Sequence, residues 1–456
     1  MLDMMGNTWE LEAGAITVTP AGADAAVAVP APSEDAATTH LVTDFEGFVW
    51  CVAGGALHRL NPRGAGYTDS GMGKRGEVGA APVDCVGEWD GNASQHREWL
   101  AVALPSRATA LAAPTHGDHV VVSLEDGGAQ AVTVDVAGAV QTSEPPTAAA
   151  DGWRALPGVL PCGNHDIAAT SAGGKVYVAG GALWWRGYPA ETHMFDELWC
   201  FDPAQMESAD AWSVVSKLPS KIAFSGLAAL GDDKLYCMGG CKNSDGIPNL
   251  RSDEQQLWIY DIATGAWSDG PPMLVPRQEV AALELCGRIY AFGCDKSCES
   301  IGVGDTAWKA EAECPLVLGG KPDMAGQYAA AAIGDTAYFA GPFGLLSFDA
   351  AAGAWAELPS PPNPGACPLT ASHKGKVYVM AGFYLDEAPG RMCTRHKNVQ
   401  IYDPETSTWS EGPALPSCEA WGAAISLGDT LITAGGAHWS RSARTFVFDN
   451  RCFALS

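Results

Sequence analysis

The chain has 456 residues, 47% of them apolar, with 53 acidic against 27 basic side chains and a formal net charge of −26. Such acidity offers no basic footprint to replace counterions on a nucleic-acid backbone and is repelled by anionic lipid, so nucleic acid and membrane surfaces are excluded as expected partners. Length alone predicts two to four domains, a prior that repeat architectures break because one closed ring absorbs many small units.

Met1 to Asn7 has no basic stretch followed by an apolar one, so no signal peptide is read there, and no apolar run is long enough to span a bilayer. The 14 Cys then predict reduced thiols in a soluble cytoplasmic protein that needs no disulfide. The sequon Asn92-Ala93-Ser94 carries no weight without secretion. Residues 1–40 are set apart as an N-terminal segment. Within it Asn7-Thr8-Trp9-Glu10-Leu11 reads as an isolated closing strand, expected to pair with the last repeat and so remove an exposed edge. Residues 11–40 and 129–150, rich in Ala, Pro, Thr and acidic groups, read as loops or linkers. Between them, Phe48 to Gly55 followed by Leu57 to Pro62 look like the second and third strands of a degenerate repeat. His119-Val120-Val121-Val122-Ser123, leading to Gly127-Gly128, looks like another that closes on Trp153.

From about residue 161 one phrase recurs. Lys175-Val176-Tyr177-Val178-Ala179-Gly180-Gly181 leads to Leu198-Trp199-Cys200-Phe201-Asp202 and closes near Trp212. Lys234 to Gly240 leads to Leu257-Trp258-Ile259-Tyr260-Asp261 and Trp267, and Lys376 to Gly382 leads to Val399 to Asp403 and Trp409. Weaker copies start at Arg288, Thr336 and Thr430, the last running to Thr445-Phe446-Val447-Phe448-Asp449. The apolar runs are too short for helices and rich in Val, Ile and Tyr, so they read as buried strands. Paired Gly at a strand end permits sharp turns and close backbone approach. Each Trp fills space between neighbouring sheets. The phrase resembles the kelch repeat, specifically over about 160–456 and weakly before. The resemblance implies an all-β fold, a kelch-type β-propeller of seven or eight four-stranded blades forming one domain over 41–456, with degenerate blades at 41–160 and clear units at 161–456.

Kelch propellers bind on one face around the central channel, and the resemblance carries two sets of positions to that face. After the Gly-Gly stand Leu183, Trp184 and Trp185; Cys241, Lys242 and Asn243; Cys294, Asp295 and Lys296; Pro342 and Phe343; Phe383 and Tyr384; His438 and Trp439. Before each first strand stand Asn164 and His165; Lys221 and Phe224; Arg277, Gln278 and Glu279; Gln327 and Tyr328; Glu419 and Trp421. The expected binding face is Trp184, Trp185, Arg277, Phe383, Tyr384, Trp421, His438 and Trp439, because aromatic and Arg side chains are the usual hot spots. Arg277 and Glu279 read equally well as a structural ion pair. The pairs Cys237/Cys241 and Cys294/Cys298 lack the tight spacing of zinc ligands, so no metal and no cofactor is expected.

No phosphate loop or nucleophile elbow is present. The implied function is a binding or scaffold module for protein–protein interaction, free-standing or a subunit of a larger assembly, since no helical adaptor region precedes the repeats. The alternative is a kelch-like enzyme acting on a sugar, of mutarotase or carbohydrate-oxidase type, for which Glu279, Arg277, His165 and Glu419 supply acid–base groups. The oxidase's copper ligands and the iron motif of plant specifier proteins are not found.

Overall fold

In a computed structural model, description covers residues 8–19, 26–29, 32, 37–43, 49–60, 99–112, 119–134, 140–143, 152–160, 164, 166–183, 193–243, 251–293, 295–316, 318, 328–385, 392–395, 397–417, 420–440 and 445–456. These residues are strands, turns and two short 3-10 turns at Pro203–Gln205 and Ala209–Ala211. Among them no helix is long and apolar enough to cross a membrane.

Among the described residues eight four-stranded antiparallel sheets form. Six of them close on one another. Their first strands are Ala168–Ala172, Gly226–Ala229, Ala281–Leu285, Ala329–Ile333, Leu369–His373 and Ala423–Leu427, and each neighbours the next, the last returning to the first. We number these sheets blades 1 to 6. Two further four-stranded sheets, starting at Thr38–Thr43 and Ala108–Ala112, and a three-stranded sheet starting at Thr8–Glu12 form a separate run.

Period-two alternation explains the ring. In the second strand of blade 1, Val176 and Val178 pack towards blade 6 while Tyr177 and Ala179 pack towards blade 2. Because successive strand side chains point to opposite faces, a strand apolar at every position must be covered on both sides. Each of the six interfaces accordingly holds its own buried apolar cluster.

Backbone and indole bonds fasten the same interfaces. At the inner edge the second Gly of the pair donates its N–H to the segment leading into the next blade: Gly181 to Ile222 O (2.9 Å), Gly240 to Arg277 O (2.8 Å), and Gly436 of blade 6 to Asn164 O of blade 1 (2.7 Å). At the outer edge five of the six closing Trp donate to the preceding blade. Trp267 Nε1 reaches Ser216 Oγ (3.1 Å), Trp308 reaches Pro271 O (2.8 Å), Trp355 reaches Ala312 O (3.0 Å), Trp409 reaches Pro359 O (2.8 Å) and Trp153 reaches Pro413 O (2.9 Å). Trp212 stands against the Cys452 thiol of blade 6. Within blades 1, 2 and 5 the repeated Lys at the start of the second strand pairs with the Asp at the end of the third, at 2.8–2.9 Å. The ammonium of Lys234 and the hydrogen bonds of Thr264 hold Asp261 down at about 2.

Four expectations are corrected. Closure does not use the Trp9 segment, which pairs with Ala15–Thr19. Blade 6 instead takes Trp153–Ala155 as its outer strand, paired with Cys452–Leu455. Trp153 therefore closes the last blade, not the sheet containing His119. The third strand of blade 6 is Cys452–Leu455, whereas Thr445–Phe448 folds back on Ala437–Ser440 as a hairpin. Lastly, the stretches read as linkers contain the strands Ala15–Thr19, Val27–Val29, Ala129–Val134 and Val140–Ser143. Their Ala and Thr are small, and among the described residues the sheets starting at Thr8–Glu12 and Ala108–Ala112 each bury Val, Ile or Leu against the sheet between them.

Gly240→Ala should lower stability by about 2 kcal/mol or more, because φ is +97° and a Cβ would lie 2.7 Å from Ala223 O. Gly174→Ala, also at positive φ but with nothing within 4 Å, should cost about 1 kcal/mol. Equilibrium urea melts of the two variants check the difference. A protein starting at residue 153 should melt cooperatively, while one starting at 156 should melt lower and aggregate, since it bares the edge of Cys452–Leu455; differential scanning calorimetry with light scattering reads both outcomes.

Candidate functional site

The six first strands surround a channel. At one mouth lies a cavity of about 220 Å³, lined by residues of the segments leading into the blades and by the starts of the first strands. Repeat-equivalent residues reach it: Asp166, Phe224, Glu279, Cys367 and Trp421 come from blades 1, 2, 3, 5 and 6, and Tyr328 comes from blade 4. The first five share a left-handed backbone, with φ of 53°, 58°, 58°, 50° and 58°. That conformation costs a residue with a Cβ roughly 1 kcal/mol or more, and glycine would adopt it freely.

Hydrogen bonds between blades hold the strain. Asp166 N donates to Trp421 O (2.9 Å), Phe224 N to Asp166 O (3.1 Å), Val280 N to Phe224 O (3.2 Å) and Trp421 N to Cys367 O (3.3 Å). Tyr328 Oη donates to Glu279 O (2.9 Å) and Phe292 O (3.2 Å). Five of the six steps round the mouth are thus bonded, and each blade projects a different side chain from the same kind of position.

Hairpins rise beside the mouth where the second strand crosses to the third. They are Ala182–Leu183 with His193–Met194 in blade 1, Cys241–Asn243 with Arg251–Asp253 in blade 2, Phe383–Leu385 with Met392–Arg395 in blade 5, and Ala437–Ser440 with Thr445–Phe448 in blade 6. Two are tied to the lead-in segments by the bridges Ala223–Cys241 and Ala420–Ala437. Ala182, Met194, Ala223, Phe224 and Cys241 form a small apolar cluster under blades 1 and 2. Blades 3 and 4 carry no such hairpin: Phe292 pairs directly with Cys298, and Gly341 with Gly344. Blades 5, 6, 1 and 2 are consecutive in the ring, so among the described residues the hairpins make a horseshoe wall with its low side over blades 3 and 4.

Of the expected binding-face residues, Trp421 is half-buried and lines the cavity. Phe383 and Tyr384, and His438 and Trp439, occupy the first strands of the hairpins of blades 5 and 6, which touch through Met392–Arg395 and Ala437–Ser440. Trp184 and Trp185 lie outside the described residues, as do His165, Cys294, Gln327 and Glu419. Arg277 is corrected: it is not on the rim. Its side chain is 2% exposed and pairs with Glu299, equally buried. Its guanidinium also donates to Ala291 O and Ser297 O (3.2 Å each) and to Val275 O (3.3 Å), while Glu299 Oε2 accepts from Leu274 N (2.7 Å). Its partner is therefore Glu299, and it pins the segment that delivers Glu279 to the mouth. Burial holds the Cys237 thiol protonated, with its pKa pushed up to about 12, so it is no ready ligand.

Asp166 and Cys367 were not among the sequence candidates. The one available signal was register: each stands where Phe224, Glu279 and Trp421 stand in their own blades.

A closed ring of six radial four-stranded sheets is a β-propeller. A model of the kelch motif matches residues 227–274 and 364–416, which hold most of blades 2 and 5. Kelch repeat and BTB domain-containing protein 8 of Danio rerio is 25% identical over 284 residues, covering 56% of this chain and 44% of the relative. Kelch-like protein 23 of Homo sapiens is 24% identical over 289 residues, covering 60% and 45%. The chain thus spans less than half the length of these curated relatives. The solved structure titled "Structure of YjhT" superposes with a TM-score of 0.51 at 14% identity, covering 64% of this chain and 95% of that one, and speaks for the fold alone. Two of its blades thus match the kelch motif, and the chain is similar to kelch-repeat proteins.

Glu299→Ala should destabilise by about 3–5 kcal/mol by leaving the Arg277 guanidinium buried without its carboxylate. Replacing both by Met and Leu should recover much of that loss. Denaturant midpoints of the single and double variants measure it.

Proposed function

We propose that the protein is a propeller binding module that recognises a protein partner on its walled face, as a cytoplasmic scaffold or as a subunit of a larger assembly. The observation that carries this reading is the mouth. Five blades hold non-glycine residues in a strained left-handed conformation around one cavity. Strain kept at equivalent places, each with a different side chain, fits a recognition surface better than it fits packing. The wall adds reach, because loops on a rigid scaffold are where binding residues concentrate. The described cysteines are all unbridged, which fits a reducing compartment.

A second reading, an enzyme acting on a sugar, draws on Asp166 and Glu279, two carboxylates facing one cavity. Affinity capture from the native source followed by crosslinking separates the two. A stoichiometric partner crosslinked to the wall supports the module, and a monomer carrying bound sugar supports the enzyme. Trp439→Ala and Trp185→Ala should each weaken partner binding by more than about 1 kcal/mol while the melting temperature stays put. Stability lost with binding retained would make these Trp packing residues and overturn the assignment of the face.

A further inference from the structure

The channel mouth has a definite chemistry. Among the described residues that line the cavity, Asp166 and Glu279 carry the only formal charges, and both are negative. They come from blades 1 and 3. Phe224 of the blade between them and Trp421 of blade 6 add aromatic faces. Carboxylates combined with aromatic faces favour an ammonium or guanidinium group, through charge-assisted hydrogen bonds and attraction to the ring quadrupole. The volume, about 220 Å³, falls below the roughly 300–1,000 Å³ of pockets for drug-sized ligands, and suits a single long side chain. The field of the whole chain, at net −26, draws a cation in the same sense.

The surroundings indicate how such a side chain arrives. Among the described residues no hairpin stands over blades 3 and 4, and Glu279 leads into blade 3 on that low side. Beside it, on the same lead-in segment, Leu274 and Val275 are 52% and 36% exposed, two of the few large apolar side chains left in solvent. The Arg277–Glu299 pair fixes this segment from beneath, through Leu274 N and the carbonyls of Ala291 and Ser297. An extended partner segment crossing the low side would cover Leu274 and Val275 and direct one side chain into the channel.

We infer that the protein recognises a partner segment carrying a Lys or Arg, which enters the channel mouth between Asp166 and Glu279 as the flanking apolar residues of that segment cover Leu274 and Val275. This rests on the protein-binding reading above and names the chemistry of its partner.

The test selects binders for the full chain from a displayed library of random twelve-residue peptides, then measures their affinity by fluorescence anisotropy. Peptides sharing one basic position are expected, and changing that residue to Ala should weaken binding about tenfold or more. Asp166→Asn and Glu279→Gln should each do the same, and salt should weaken the wild-type complex. Both substitutions keep side-chain size, and Asn tolerates the left-handed backbone; an unchanged melting curve confirms folding, and either single variant suffices. Leu274→Ser should weaken binding without altering the preference for a basic residue. Selected peptides that share no basic position, or that bind Asp166→Asn and Glu279→Gln within about twofold of wild type, overturn the inference. If such peptides still lose affinity on Trp439→Ala, the binding face stands and only its chemistry was misread. A library that yields no binder counts against both.

Discussion

Everything in the ring depends on the seam between adjacent sheets. No blade can bury both of its faces alone, so the unit of stability is the interface and not the sheet. The seam is dry and apolar through its middle and pinned at both margins, by a glycine N–H near the axis and a tryptophan indole at the rim. These margins do different work. The indole fills volume, and its partner varies from blade to blade: a carbonyl in four seams, the Ser216 hydroxyl in another. The glycine sets distance: a Cβ on Gly180 would stand 2.3 Å from Ile222 O, and one on Gly239 2.8 Å from Arg277 O. The inner radius, and with it the width of the channel, is set by how closely those backbones meet.

The functional face follows from the same contact. The segment that accepts the glycine bond is the one that turns into the next first strand, so fixing the seam also fixes the residue at the mouth. A position held by its backbone accepts many kinds of side chain, and Asp, Phe, Glu, Cys and Trp occupy equivalent places. Blade 3 departs from the pattern. Lacking a hairpin, it has carbonyls at Ala291 and Ser297 that need donors, and Arg277 supplies them from the adjoining segment.

Most of the ring was legible because its phrase combines three independent signals: the apolar run, the Gly pair, and the Trp that closes each unit. Where one faded, the reading slipped. In the last unit Phe446-Val447-Phe448 has the stronger strand character, yet it belongs to a hairpin inserted between Gly436 and Asp449, and the humbler Cys452-Phe453-Ala454 takes the third place. Register against the Gly pair, not apolarity, distinguishes the two. The strands before residue 144 were partly hidden by Ala and Thr, residues common in linkers as well as strands. At the site, a left-handed backbone leaves no trace in the sequence when the residue is not glycine, so Asp166 and Cys367 went unseen. Arg277 carried a clue that spacing could not show: Glu299 sits within a run that is otherwise apolar or small, where a lone acid demands a buried cation.

Blade 6 is assembled from two distant pieces, Trp153–Ala155 and the strands from Ala423 to Leu455. During synthesis the first piece emerges early and has nothing to pair with until everything from residue 156 to residue 451 has followed. Blades 1 to 5 can stack meanwhile, but only as an open arc whose first sheet shows the bare apolar side of Val176 and Val178. Such long-range closure is slow, and the waiting species is adhesive. For this chain, then, the hazard of aggregation is concentrated in time, in the interval between completing blade 5 and making Cys452–Leu455, and a pause in translation there would prolong it.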